Sequence, residues 1–113
     1  MHVIFKVQSD LKDMKAFRQL VANKAQEKHP VVWNMDAPVR ISIDALLQRP
    51  KSTPKKVEHH IKRPGANGIS AAVAGALENI LFNSVSQIIE VHICKEYSKT
   101  KKPSVEITVA VVE

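Results

Sequence analysis

Three stretches of the chain alternate along a period of two, and no other feature narrows its folding options as far. Val39, Ile41, Ile43, Ala45 and Leu47 alternate with Arg40, Ser42, Asp44 and Leu46. Ile89, Val91 and Ile93 alternate with Ile88, Glu90, His92 and Cys94, and Val105, Ile107, Val109 and Val111 recur at every second position. A period of two puts each set on one face of a strand, so these stretches predict a sheet with one buried face. Residues 2–7, β-branched and aromatic, predict a further strand. Helical spacing fills the gaps. Leu11, Met14, Phe17, Val21 and Ala25 form one stripe, with Ser9 as expected N-cap, Asp10 and Asp13 in the first turn and Pro30 beyond the end. Ile69, Val73, Ala76, Leu77, Ile80 and Leu81 mark a second helix over 69–82, capped by Asn67 and ended by Asn83 and Ser84. The order predicts an α+β fold: a four-stranded mixed or antiparallel sheet with two helices packed on one face, its last two strands antiparallel through a basic turn at 99–103.

With 113 residues, a single domain over 1–113 is expected, burying roughly 65% of its unfolded surface. Cys94 is the only cysteine, which excludes an internal disulfide or a multi-cysteine zinc site and suits a reducing compartment. The run 69–82 is interrupted by Ser70, Glu78 and Asn79 and is too short to span a membrane. Lys6 and Asp10 break the only early apolar stretch, so no secretory leader is expected.

The net charge of +6 is unevenly placed. Residues 45–63 carry Arg49, Lys51, Lys55, Lys56, Lys62 and Arg63 against Glu58. Residues 95–102 carry Lys95, Lys99, Lys101 and Lys102 against Glu96. Between them, residues 64–94 hold no lysine or arginine. Pro50, Pro54, Pro64 and two glycines make 48–68 a long loop, with room for a short helical turn around 54–61; loops of this length are commonly functional or mobile. Two basic segments suit a polyanion such as nucleic acid, whose counterions are released on contact; equally, Lys-rich loops serve simply as solvated surface.

Smaller features leave alternatives open. Gly65-Ala66-Asn67-Gly68 reads as a turn and N-cap, or as a backbone nest for a phosphate. Glu58, His59 and His60 offer metal or general-base chemistry, but adjacent histidines point apart on most backbones. His92 and Cys94 share a strand face and are read as packed or exposed strand residues rather than a metal pair; Lys95, beside Cys94, falls on the opposite face. Asp44 lies near the start of the basic loop. The Ala/Gly-rich helix 69–82 suits close packing, against its own sheet or a second copy.

Several short motifs then occur in a recognisable order. Arg49-Pro50-Lys51-Ser52, His60-Ile61-Lys62-Arg63-Pro64, Gly75-Ala76-Leu77-Glu78-Asn79-Ile80-Leu81, Ser86-Gln87-Ile88-Ile89-Glu90-Val91 and residues 102–109 together resemble the RusA family of Holliday-junction resolvases. The resemblance runs from about residue 39 to the end. It implies a small homodimeric nuclease of a bacterial or phage-infected cytoplasm that cuts four-way DNA junctions with Mg²⁺. The family carries Asp-x-Asp-Asn directly after Arg-Pro, a lysine in the following helix, and an Asp-Asp pair before Ser/Ala-Gln. Mg²⁺ demands hard carboxylate oxygens in octahedral geometry, which explains those aspartates.

This chain departs from the pattern at each of those places. The two aspartate positions after Arg63-Pro64 hold Gly65 and Asn67, the asparagine position holds Gly68, the helix lysine falls at Ala71, and Ser84 and Val85 replace the Asp-Asp pair. The expectation is a protein without catalytic residues, metal or cofactor, binding branched or duplex DNA through Arg49, Lys51, Lys55, Lys56, Lys62, Arg63, Lys99, Lys101 and Lys102. Losing three acids also removes repulsion of phosphate. Two other classes compete: a protein-interaction module, such as an inhibitor or regulator, that uses the resolvase scaffold; and, less favoured, a nuclease with substitute residues.

Overall fold

The computed structural model describes residues 1–49, 51, 64–99 and 102–112. The chain runs β1 (His2–Val7), α1 (Met14–Lys28), β2 (Val39–Leu47), α2 (Ala66–Leu77), a single 3₁₀ turn (Val85–Gln87), β3 (Ile88–Tyr97) and β4 (Ser104–Val111). The fold is α+β, with one mixed sheet in the order β1-β4-β2-β3. The expected period of two is realised residue for residue in β2, whose Val39, Ile41, Ile43, Ala45 and Leu47 are all buried. Across the ladder they meet Val109, Ile107 and Val105 of β4, which in turn face Val3, Phe5 and Val7 of β1. Phe17, Val21 and Ala25 of α1 and Ile69, Val73 and Leu77 of α2 close the same core, so both helices lie on one face.

The last two strands do not form the expected hairpin. β3 pairs in parallel with β2, and β4 pairs antiparallel with both β2 and β1, so β2 separates β3 from β4. α2 is the crossover that a parallel pair requires. Burial explains which strand takes the interior place. Val105, Ile107 and Val109 are fully enclosed, as a strand flanked on both sides allows, whereas Ile89 and Val91 on the β3 edge stay 57% and 44% exposed. The edge strand needs less apolar cover and receives less.

Both helix starts also differ from expectation. α1 begins one turn later, with Asp13 as N-cap accepting from the Ala16 amide at 3.1 Å. Ser9 and Asp10 instead bond the amides of Leu11 and Lys12 at 3.0 Å each, forming short polar turns. These turns carry Leu11 into the left-handed region, φ 61°, and bury its side chain. α2 begins at Ala66 with Gly65 as N-cap, so Asn67 lies inside the first turn. It ends at Leu77, not at 82, because Asn79 takes a left-handed φ of 68° and its amide donates to the Phe82 carbonyl at 2.7 Å. Leu81 and Phe82 therefore plug the core from a turn. The helical turn expected around 54–61 lies outside the described residues.

Candidate nucleic-acid interface

Strand directions decide where the basic residues gather. β2 and β3 end together, with Leu47 opposite Tyr97, while β4 starts there, with Ser104 opposite Leu46. Val7, the last residue of β1, faces Val105 at the same end. The Ser98 amide closes the rim by donating to the Leu47 carbonyl at 2.7 Å. The starts of α1 and α2 open onto this end too, because each follows a strand that finishes there.

Between them lies a cavity of about 1020 Å³. Leu11, Met14, Leu47, Ala71, Ala72 and Tyr97 give it apolar walls, and among the described residues Lys12, Arg18, Arg49 and Lys51 bring four cations against the single carboxylate of Asp10. The Arg49 guanidinium carbon sits 4.6 Å from the centre of the Tyr97 ring, a cation–π contact. Lys95 donates to the Pro64 carbonyl at 2.9 Å and so ties β3 to the lead into α2. Gly65 and Gly68 line the same space, and no side chain caps the helix at Gly65. A neighbouring recess of about 460 Å³ holds Lys6, Lys99 and Lys102 with Glu96.

Arg49, Lys51, Lys99 and Lys102 therefore share one end of the sheet. Lys55, Lys56, Lys62, Arg63 and Lys101 lie outside the described residues, as do Glu58, His59 and His60. Sequence reasoning missed Lys6, Lys12 and Arg18. Nothing in the N-terminal charge tally singles them out, since residues 1–44 are only mildly basic, and only the fold carries them to the rim.

The positions read as altered catalytic sites are not brought together within one chain. Gly65 and Asn67 are at the start of α2 and Ala71 is midway along it, whereas Ser84 and Val85 follow its far end. The twelve helical residues after Gly65 span about 18 Å at 1.5 Å per residue, which sets Gly65 that far from the end leading to Ser84. Ser84 has a structural task there. Its side chain caps the 3₁₀ turn by accepting from the Ser86 amide, while Gln87 reaches back in a capping box. The Gln87 amide is fully engaged: Oε1 accepts from Asn83 and Ser84 at 2.8 and 2.9 Å, and Nε2 donates to the Met35 and Ala37 carbonyls at 2.8 Å each. The Ser-Gln pair thus locks the chain before β3 to the connector before β2.

Glycine, alanine and valine side chains carry no oxygen, and Asn67 and Ser84 offer only a neutral amide and a neutral hydroxyl, so this donor set lacks the carboxylates that suit Mg²⁺. Among the described residues no group of three His, Cys, Asp or Glu side chains is placed to hold a metal ion. Asp44, Cys94, Glu96 and Glu106 meet on the open face of the sheet beside Lys6, in a recess of about 290 Å³. Desolvation, then the Glu96 and Asp44 carboxylates, raise the Cys94 thiol above its ordinary range. This is the opposite of what a nucleophilic thiol needs. Glu90 on the same face pairs with Arg40 at 2.9 Å, an exposed contact of little energetic weight.

Residues 6–110 match the family described as Endodeoxyribonuclease RusA. The chain belongs to the RusA family. That places it among Holliday-junction resolvases and associates it with DNA recombination and repair, and family membership implies junction DNA as ligand. The match begins at Lys6, so α1 and the end of β1 lie within the matched region. No curated protein matches the chain. Among the described residues no helix is long and apolar enough to cross a membrane.

Proposed function

We propose that this RusA-family protein binds branched or duplex DNA at the basic end of its sheet without metal-dependent cleavage. The carrying observation is the gathering of Lys12, Arg18, Arg49 and Lys51 around one cavity, with Lys6, Lys99 and Lys102 in the adjoining recess. Phosphate contacts need fixed cations rather than chemistry, and neutral residues at Gly65 and Asn67 spare the DNA the repulsion of unfilled carboxylates. The protein acts as one domain in the cytoplasm of a bacterial or phage-infected cell. A homodimer suits it: residues 64–94 have no lysine or arginine, and Val85, Ile89 and Val91 are exposed there, so two copies can meet there without repulsion between their basic residues.

The test is binding to a four-way junction and to a duplex in EDTA across a salt series. Contact with several phosphates makes log K fall by about 0.9 per phosphate for each unit of log salt. Absence of affinity at low salt rules the proposal out. Junction DNA that survives prolonged incubation with Mg²⁺ or Mn²⁺ supports the loss of cleavage, and strand scission refutes it. The competing role, an inhibitor or regulator bound to another protein through the exposed β3 edge, predicts a shallow salt dependence and a protein rather than a DNA ligand.

A further inference from the structure

We infer that the cavity at the basic end takes one unpaired nucleotide, its base against the apolar wall and its phosphate among the cations. This occupancy rests on DNA binding as proposed above and says which part of a branched DNA the protein prefers. Two features of the cavity support it. A site for backbone phosphates alone needs only a charged surface, yet Leu11, Leu47, Ala72 and Tyr97 form an apolar floor under the rim of Lys12, Arg18, Arg49 and Lys51. The volume, about 1020 Å³, lies just above the roughly 300–1,000 Å³ typical of small-molecule sites, so a nucleotide has room to enter. A flat, apolar ring joined to an anion matches that two-part lining. A paired base cannot enter without leaving its stack, which costs a few kcal/mol, whereas an unpaired base at a branch or bulge is already freed.

Ala71 lies on the cavity wall and is exposed, and Gly68, one turn earlier on α2, has no atom within 4 Å of the point a Cβ would occupy. Both therefore accept a larger side chain without disturbing the core. The experiment compares a fully paired duplex with the same duplex carrying one bulged 2-aminopurine, by anisotropy and by 2-aminopurine emission. The expected result is about tenfold tighter binding of the bulged duplex, with emission rising as the base leaves its neighbours. Ala71→Trp and Gly68→Leu fill the space and bring the bulged affinity down to that of the paired duplex. Ala74→Ser, away from the cavity, leaves the ratio as it is. Equal binding of the two duplexes by the unaltered protein overturns the inference while leaving DNA binding intact, and so does a preference that survives both fillers. Failure to bind either duplex at low salt overturns DNA binding itself.

Discussion

Arg49 covers the ring of Tyr97, its guanidinium carbon 4.6 Å from the ring centre. The contact joins the residue just past β2 to the last residue of β3 and holds a cation at the mouth of the cavity. Arg49→Lys keeps the charge but loses the planar stack. It should lower stability by about 0.5–1 kcal/mol in urea melts while leaving the salt slope of DNA binding unchanged. Arg49→Ala should show the same loss of stability and also flatten the slope by about 0.9. A slope equal to that of the unaltered protein would remove Arg49 from the phosphate contacts.

Gln87 makes four hydrogen bonds that join the segment before β3 to the connector before β2. Gln87→Ala strands partly buried donors and acceptors, so it should cost about 1–3 kcal/mol, read as a lower urea midpoint at constant m-value. Gln87→Glu should also destabilise, because a carboxylate cannot donate to Met35 and Ala37.

Gly75 tests the packing of the two helices. A Cβ there meets Arg18 Nη2 at 2.7 Å, but the neighbour is the far end of a flexible side chain. Arg18 can swing aside, and alanine is better than glycine inside a helix by up to about 1 kcal/mol. Gly75→Ala is expected to hold or raise the melting temperature. A clear fall would mean that Arg18 is locked in place over α2.

Desolvation first, then the carboxylates of Glu96 and Asp44, raise the Cys94 thiol on the open sheet face. Thiolate is the reactive form, so a raised pKa delays alkylation to higher pH than for a free thiol. Iodoacetamide should therefore react slowly at pH 8 and faster as pH climbs. Asp44→Asn removes one source of repulsion, lowers the thiol pKa and should speed the reaction at pH 8. An unchanged rate would show that Asp44 has no part in setting the value.

The period-two stretches sufficed to place β2 and β4 and to assign their buried faces, since alternation depends only on local backbone geometry. Val39, Ile41 and Ile43 need no knowledge of their neighbours to be assigned inward. The 3.6-residue spacing likewise located α1 through Phe17, Val21 and Ala25. Ends were less legible, because they depend on competing local hydrogen bonds: Ser9 forms its own turn, and Asn79 reverses the chain before the apolar run is finished.

Length, single cysteine, charge blocks and family motifs were thus legible in the residues themselves. Strand order was not, because pairing joins residues far apart in sequence and is chosen by total burial. Once β4 lies between β1 and β2, the ends of β1, β2 and β3 meet the start of β4. That meeting draws Lys12 and Arg18 beside Arg49 and Lys51 around one cavity and leaves Lys6 in the adjoining recess on the open face, and it puts Val85 the length of a helix away from Gly65. The charges were visible in the sequence, but only tertiary packing gathered Lys12, Arg18, Arg49 and Lys51 around one cavity, since electrostatic concentration depends on distance through space.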